Sequence, residues 1–307
     1  MARKKKHDDV NGWLVLDKPV GMTSTQAVAR VKRLMNANKA GHAGTLDPLA
    51  SGLLPIALGE ATKTVSYIMD GRKVYRFVVR WGAQTSTDDT EGEVIATSDH
   101  RPSEDDILAI LPEFTGDIMQ MPPQFSAIKL QGERAYDLAR AGETVNLEAR
   151  PINVHRLLLI DMEDADTTVF DCECGKGTYV RALARDMGLR LGTRGHVIGL
   201  RRLLVGPFGE NDMVPLEEIE ELAESDDLNA PRSTLLPVDT ALADLPQVDV
   251  HRDGAARLRR GQSVILRGRD APTSAAEIAV FSGGDLVAIA EIDKGELVPK
   301  RVFNLDG

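Results

Sequence analysis

Residues 74–82 read VYRFVVRWG, a run of β-branched and aromatic residues with interspersed arginines, and such a run favours a strand. Comparable runs recur at 13–16, 93–97, 154–160, 167–174 and 196–206, and again after about 245 as SVILRG, EIAVFSGG, DLVAIAEI and LVPKRVF. Helical patterns are fewer. One follows Thr23 or Ser24 as N-cap and places Val28, Val31 and Met35 on one face. Another follows Ser103, and a third follows the turn GKGT with Val180, Leu183, Met187 and Leu191 aligned. Strands therefore predominate without regular βαβ alternation, which predicts an α+β fold. The expected organisation is a basic, disordered tail at 1–10, a main domain at 11–240 and a small β-rich domain at 245–307. Residues 118–151 carry prolines, scattered bases and weak periodicity, and read as an arm inserted at about 120–150.

The chain has 307 residues and a formal net charge of −10, which taken alone speaks against a nonspecific nucleic-acid binder. The charge is uneven. Residues 217–227 (EEIEELAESDD) hold seven acids and no base, and read as a solvated helix face. Bases cluster at 3–6, 30–39, 181–194 and 201–202. A basic face built from 30–39, 120–150 and 181–202, with the acidic run pointing away, is the expectation. Cys172 and Cys174 lie one residue apart, a spacing that suits neither a disulfide framework nor a zinc set, and no cluster has metal-ligand spacing. The basic start MARKKK lacks a following apolar stretch, and no window approaches the length of a membrane span. A reducing cytoplasm is the expected location.

Residues 41–63, GHAGTLDPLASGLLPIALGEATK, present a single carboxylate, Asp47, between a glycine-rich turn and a proline. Asp-Pro pairs commonly end turns or cap segments, and these residues alone leave that reading open. Gly41, Gly44 and Gly52 make the backbone around the acid permissive, and His42 shares the loop.

Six motifs, in order, resemble the bacterial pseudouridine synthases that act on the T-loop uridine of tRNA, uridine-55. They are GWLVLDKPVGMTST (12–25), GHAGTLDPLASGLLP (41–55), KVYRF (73–77), QMPPQFSAIKLQGERAYDLARAG (120–142), GKGTYVRALARDMG (175–188) and HVIGLRRL (196–203). The resemblance implies a mixed, mainly antiparallel catalytic sheet with flanking helices and an RNA-gripping arm. It also implies a small C-terminal RNA-binding domain of the PUA type. The implied reaction is an isomerisation: the uridine C1′–N1 bond breaks, the base turns and C1′ rejoins at C5. No group is lost and no redox change occurs, so neither cofactor nor metal is expected.

Asp47 is then the catalytic carboxylate, acting by attack at C6 or at C1′, a choice the sequence leaves open. Burial disfavours a carboxylate's charge, so an ionised acid in a water-excluding site needs a cation beside it. The resemblance assigns that place to Arg181 and makes Tyr75 the active-site tyrosine, while Leu200 matches the residue packed against the base. Tyr179 is expected to line the same pocket, and Lys63 to support the loop or contact backbone. His42 is expected to fill the gap left when the uridine flips out, and Lys129 and Arg140 of the arm to meet RNA. The expected partner is tRNA, with no membrane, no obligatory protein partner and a monomeric state. A tRNA-folding chaperone is the competing reading from another class; the intact Asp47, Tyr75 and Arg181 set favours catalysis.

Overall fold

The computed structural model describes residues 7–126, 129–130, 133–134, 147–225, 227, 229–266 and 274–305. In chain order the strands are β1 (Gly12–Lys18), β2 (Ala40–His42), β3 (Ser51–Leu58), β4 (Lys73–Trp81), β5 (Ala83–Thr85), β6 (Val94–Thr97), β7 (Gly116–Gln120), β8 (Lys129–Leu130) and β9 (Glu133–Arg134). They continue as β10 (Arg150–Met162), β11 (Thr167–Cys174), β12 (Gly195–Val205), β13 (Val214–Pro215), β14 (Gln247–Asp249), β15 (Val264–Ile265), β16 (Ala275–Ser282), β17 (Asp285–Asp293) and β18 (Glu296–Val302). The α-helices among the described residues are α1 (Ser24–Leu34), α2 (Val65–Asp70), α3 (Glu104–Ile110), α4 (Val180–Arg190), α5 (Leu216–Ala223) and α6 (Arg252–Arg259). None is long and apolar enough to cross a membrane.

The fold is α+β. Nine strands form the main sheet in the order β13-β1-β3-β12-β4-β11-β10-β7, with β2 added to β3. Every pairing is antiparallel except β1 with β13 and β3 with β12. Strand β4 shows why the run at 74–82 must be a strand: Phe77, Val79 and Trp81 are buried while Arg76 and Arg80 are exposed. Phe170 on the neighbouring β11 stacks on Phe77 at 5.3 Å and meets Trp81 edge-on at 6.3 Å. The Trp81 indole donates to Thr168 Oγ1 at 2.9 Å, so its one polar group is satisfied inside the core. Cys172 and Cys174 are free and buried on the same strand.

Helix α1 starts at a capping box in which Thr23 and Gln26 satisfy each other's backbone amides, and buries Ala27 and Val31. Helix α3 opens the same way on Ser103 and Asp106. A second sheet, β14-β16-β17-β18-β15, closes the chain. Ala279, Leu286, Ile289 and Phe303 from this end share a buried cluster with Trp13, Val15, Leu53 and Ala57 of β1 and β3.

Two expectations change here. The segment 118–151 is not all arm: Ile118, Met119 and Gln120 pair with Ile152, Pro151 and Arg150, so both ends belong to the sheet and pinch the insertion at its base. The acidic run is not a purely solvated face either. Helix α5 buries Leu216 and Ile219, and Glu220 accepts from Arg30 Nε of α1 at 2.6 Å. An acid beside a basic helix neutralises part of the basic face expected at 30–39.

Phe170→Ala removes the ring on which Phe77 and Trp81 both rest. The expected cost is about 3–5 kcal/mol of folding stability, read as a lowered urea midpoint with an unchanged slope.

Candidate active site

Asp47 sits on the loop between β2 and β3, and neighbouring elements fix that loop by its backbone. Ser24 Oγ, in the first turn of α1, accepts from Leu46 N at 2.8 Å and donates to Leu46 O at 2.9 Å. Gly21 N donates to Pro48 O at 2.7 Å, and Ala50 N closes the turn on Asp47 O at 3.1 Å. From beneath, the buried Arg202 of β12 donates to Leu53 O at 2.7 Å, Gly44 O at 3.2 Å and Thr45 O at 3.3 Å. The glycine at 52 is required by this approach: its φ is +95°, and a Cβ there would meet Arg202 O at 2.3 Å. Gly44 also takes a positive φ, whereas Gly41 does not.

Lys18, at the end of β1, braces the turn before α1. Its buried ammonium donates to Pro19 O at 2.8 Å and Met22 O at 2.7 Å. Burial lowers its pKa to about 8, the Asp47 charge opposing and Arg202 reinforcing the shift.

Arg181 leaves the first turn of α4 and is 5% exposed. Its Nε lies 2.9 Å from Asp47 Oδ2, and its Nη1 lies 3.2 Å from Asp89 Oδ2. The remaining donors reach Thr87 O at 2.8 Å and Phe125 O at 3.0 Å. One guanidinium thus serves two carboxylates. The Asp89 side chain is 3% exposed, whereas that of Asp47 is 33% exposed and lines a cavity of about 620 Å³. His42, at the end of β2, lines the same cavity, as do Thr23, Ser86, Thr87 and Phe125.

Tyr179 immediately precedes α4. Gln120 holds it at both backbone groups, accepting from Tyr179 N at 2.9 Å and donating to Tyr179 O at 3.1 Å. Burial pushes its phenol pKa up, the neighbouring Ser126 hydroxyl opposes this, and the Asp47 charge adds to it. Tyr75 of β4 stands between Cys172 of β11 and Arg202 of β12. Its phenol is likewise raised by burial, with Arg202 opposing and Asp47 adding.

Asp47, Arg181 and His42 therefore converge on one cavity, and Tyr75 and Tyr179 lie within electrostatic reach of Asp47 without lining it. Leu200 is a core residue of β12, opposite Phe77. Lys63 is elsewhere: its ammonium reaches Glu60 at 2.6 Å and Val302 O at 2.8 Å, and lies over the Phe303 ring. It joins the second sheet to the first instead of reaching the cavity. The Lys129 backbone pairs with Arg134 between the antiparallel β8 and β9, and Arg140 lies outside the described residues.

The basic face expected at 181–202 is corrected as well. Arg181 and Arg202 are internal, Arg190 makes a forked pair with Glu113 at 2.7 Å, and Arg201 pairs with Asp17 at 2.8 Å. These arginines hold the protein's own loops and carboxylates.

Asp89 was missed because STDDTEG reads as a turn. It is a turn, closing the β5–β6 hairpin, but its carboxylate points inward: Thr87 donates its hydroxyl to it, and Glu91 N donates at 2.9 Å. The available signal was two adjacent acids in a chain whose helix motif carries arginines four residues apart. Gly92 lets the loop fold over itself; a Cβ there would meet Thr87 Oγ1 at 2.5 Å and Ser86 Oγ at 2.6 Å. Among the described residues, no group of three or more His, Cys, Asp or Glu is placed to hold a metal ion.

Comparison with known proteins bears on this site. The family profile described as TruB family pseudouridylate synthase (N terminal domain) matches residues 32–180. The tRNA pseudouridylate synthase B C-terminal domain profile matches 181–243, and that of pseudouridine synthase II TruB, C-terminal, matches 246–303. The chain is 62% identical to the tRNA pseudouridine synthase B of Bradyrhizobium diazoefficiens, over 99% of this chain and 89% of that one. It is 58% identical to the enzyme of the same name from Agrobacterium fabrum, over 98% and 97%. Among solved structures it is similar to the archaeal box H/ACA sRNP Nop10–Cbf5 complex, with a TM-score of 0.73 and 25% identity, over 96% of this chain and 87% of that one.

Two outcomes follow from the geometry. Asp89→Asn keeps the size of the side chain but removes half of the negative charge facing Arg181, and Gly92→Ala displaces Thr87. Both should lower turnover, by about 10- to 100-fold for a displacement near 1 Å, while substrate affinity is largely kept, in steady-state kinetics. Separately, the folded Lys18 pKa lies below its ordinary 10.5, so the unfolded chain holds that proton more tightly. Stability from this group should rise as pH climbs from about 8 to about 10.5. Lys18→Met should abolish that component in denaturation curves taken across the window.

Proposed function

The chain belongs to the TruB family of pseudouridylate synthases, and on that premise we propose that it converts uridine-55 in the T-loop of tRNA to pseudouridine. The observation carrying the reading is the Asp47–Arg181 pair at 2.9 Å, open on one side to a cavity with His42 on its wall. The reaction asks for a carboxylate that stays ionised where water is excluded, and a buried guanidinium beside it meets that need. The atoms balance without a co-reactant: C1′–N1 breaks, C1′–C5 forms, the C5 proton departs and N1 takes a proton. Asp47 serves as the group that engages the nucleotide and later parts, by either C6 or C1′ attack.

The T-loop uridine is stacked inside folded RNA, so it must be flipped out at a cost of a few kcal/mol. His42 shares the cavity with Asp47, which supports a role in filling the vacated space. Tyr75 and Tyr179 are the proposed aromatic partners of the base, both close enough to respond to the Asp47 charge. RNA of this shape is read through unstacked bases and backbone, not through a duplex major groove. The net charge of −10 is compatible with that, because counterion release depends on local contacts. Arg181 and Arg202 are committed to internal partners, whereas Arg190 and Arg201 stay partly exposed in ion pairs with Glu113 and Asp17, which phosphates would have to compete with.

The test is conversion of an unmodified tRNA transcript by wild type and by Asp47→Asn, with pseudouridine mapped at every uridine and binding measured in parallel. Wild type should modify the T-loop alone. Asp47→Asn, isosteric and still able to accept from Arg181, should bind but yield no product. Product at another uridine overturns the substrate. Tight binding without product from wild type overturns the activity and promotes a tRNA-folding role.

A further inference from the structure

Helix α4 carries a second arginine, Arg185, one turn after Arg181, so both side chains leave the same face. Arg185 Nη1 lies 3.1 Å from Asp88 Oδ2, Nη2 donates to Met121 O at 2.7 Å, and Nε donates to Asp186 Oδ1 at 2.8 Å. Arg181 repeats the bridge one turn earlier, with Asp89 on one side and Phe125 O on the other. Adjacent acids of the 85–93 loop thus meet two arginines, which in turn hold two carbonyls of the segment 120–126. That segment is where the insertion leaves the sheet.

The outer bridge is built into the fold. The side chains of Arg185 and Asp88 are 13% and 7% exposed. Asp88 takes a φ of +59°, a conformation uncommon for a residue other than glycine, and its carbonyl accepts from Val197 N at 3.0 Å. A second cavity, of about 670 Å³, lies against the pair. Its walls include Met121 and Pro122 from the start of the insertion and Leu147 from its end. Both roots of the insertion therefore border the cavity that Arg185 lines, and Arg185 itself holds the first of them through Met121 O.

We infer that Arg185 is a positioning residue: it ties the root of the insertion to the loop that carries Asp89, and through Asp89 and Arg181 to Asp47. A lysine in its place keeps a positive charge for Asp88 but not the planar fork that reaches Asp88, Met121 O and Asp186 together. The inference rests on the proposed reaction only for its rate measurement.

The experiment compares wild type, Arg185→Lys and Asp88→Asn on unmodified tRNA transcript. Single-turnover rate constants and RNA dissociation constants are measured separately, with thermal melting and amide hydrogen exchange on the same samples. Both variants should lose about 10- to 100-fold in single-turnover rate while affinity stays within about threefold. Amides of 85–93 and 120–126 should become less protected together. A rate constant equal to wild type in the folded variants, whatever the melting temperature, overturns the proposal. So does exchange that rises in one segment alone. If Arg185→Lys does not fold, Asp88→Asn, which keeps size and a hydrogen-bonding oxygen, decides the same question. If wild type makes no pseudouridine, the functional reading falls. The exchange data then decide the coupling: joint opening upholds it and separate opening overturns it.

Discussion

A single guanidinium holds the site together. Arg181 is buried, and its donors are divided between two carboxylates, Asp47 and Asp89, and two carbonyls, Thr87 and Phe125. A buried cation is costly unless its charge and its hydrogen bonds are both met, and here both are. Two acids against one base leave the group with an excess negative charge. All three groups border the cavity, but Asp47 is the exposed one, so the arrangement presents its carboxylate to whatever enters while its countercharge stays largely buried.

The rest of the fold serves the immobility of that pair. The acid loop is held through Leu46 by Ser24, through Gly44 and Thr45 by Arg202, and through Pro48 by Gly21. Each of these contacts is to main chain, and the buried side chains of Ala43, Leu46 and Ala50 add packing beneath the loop. The parallel approach of β3 and β12 brings Arg202 under the loop, and only a glycine at 52 permits it. On the other side α4 starts where Gln120 grips Tyr179, which fixes where Arg181 can point. Charged groups held this way need little reorganisation, the condition under which fixed charges are most effective.

Much of the fold was legible in the sequence because it follows from local rules. The run VYRFVVRWG alternates as a buried strand face demands, and Thr23 and Ser103 announce helices through capping boxes. The insertion at about 120–150 was read near its observed base, but the strand character of its flanks was not, because Ile118–Gln120 and Arg150–Ile152 become strands only by pairing with each other across it. The arginines of 181–202 were expected to form a basic face, yet Arg181, Arg185 and Arg202 are internal struts, and Arg190 and Arg201 are paired with carboxylates nearer the surface. Sequence shows how many charges a segment has but not which carboxylates will fold against them.

By itself the sequence determined the α+β class, the placement of most strands and helices, and a family membership carried by motifs spread over most of the chain. These depend on periodicity, capping and residue order, all of which are local or one-dimensional. Tertiary structure alone decided that Asp89, hidden in an ordinary-looking turn, shares Arg181 with Asp47, and that Lys63 joins the two sheets instead of serving the cavity. It also decided that Arg185 reaches both the 85–93 loop and the root of the insertion. The physical reason is the same in each case. An ion pair between residues tens of positions apart leaves no trace in either segment's own pattern, and exists only once the sheet has brought the two together.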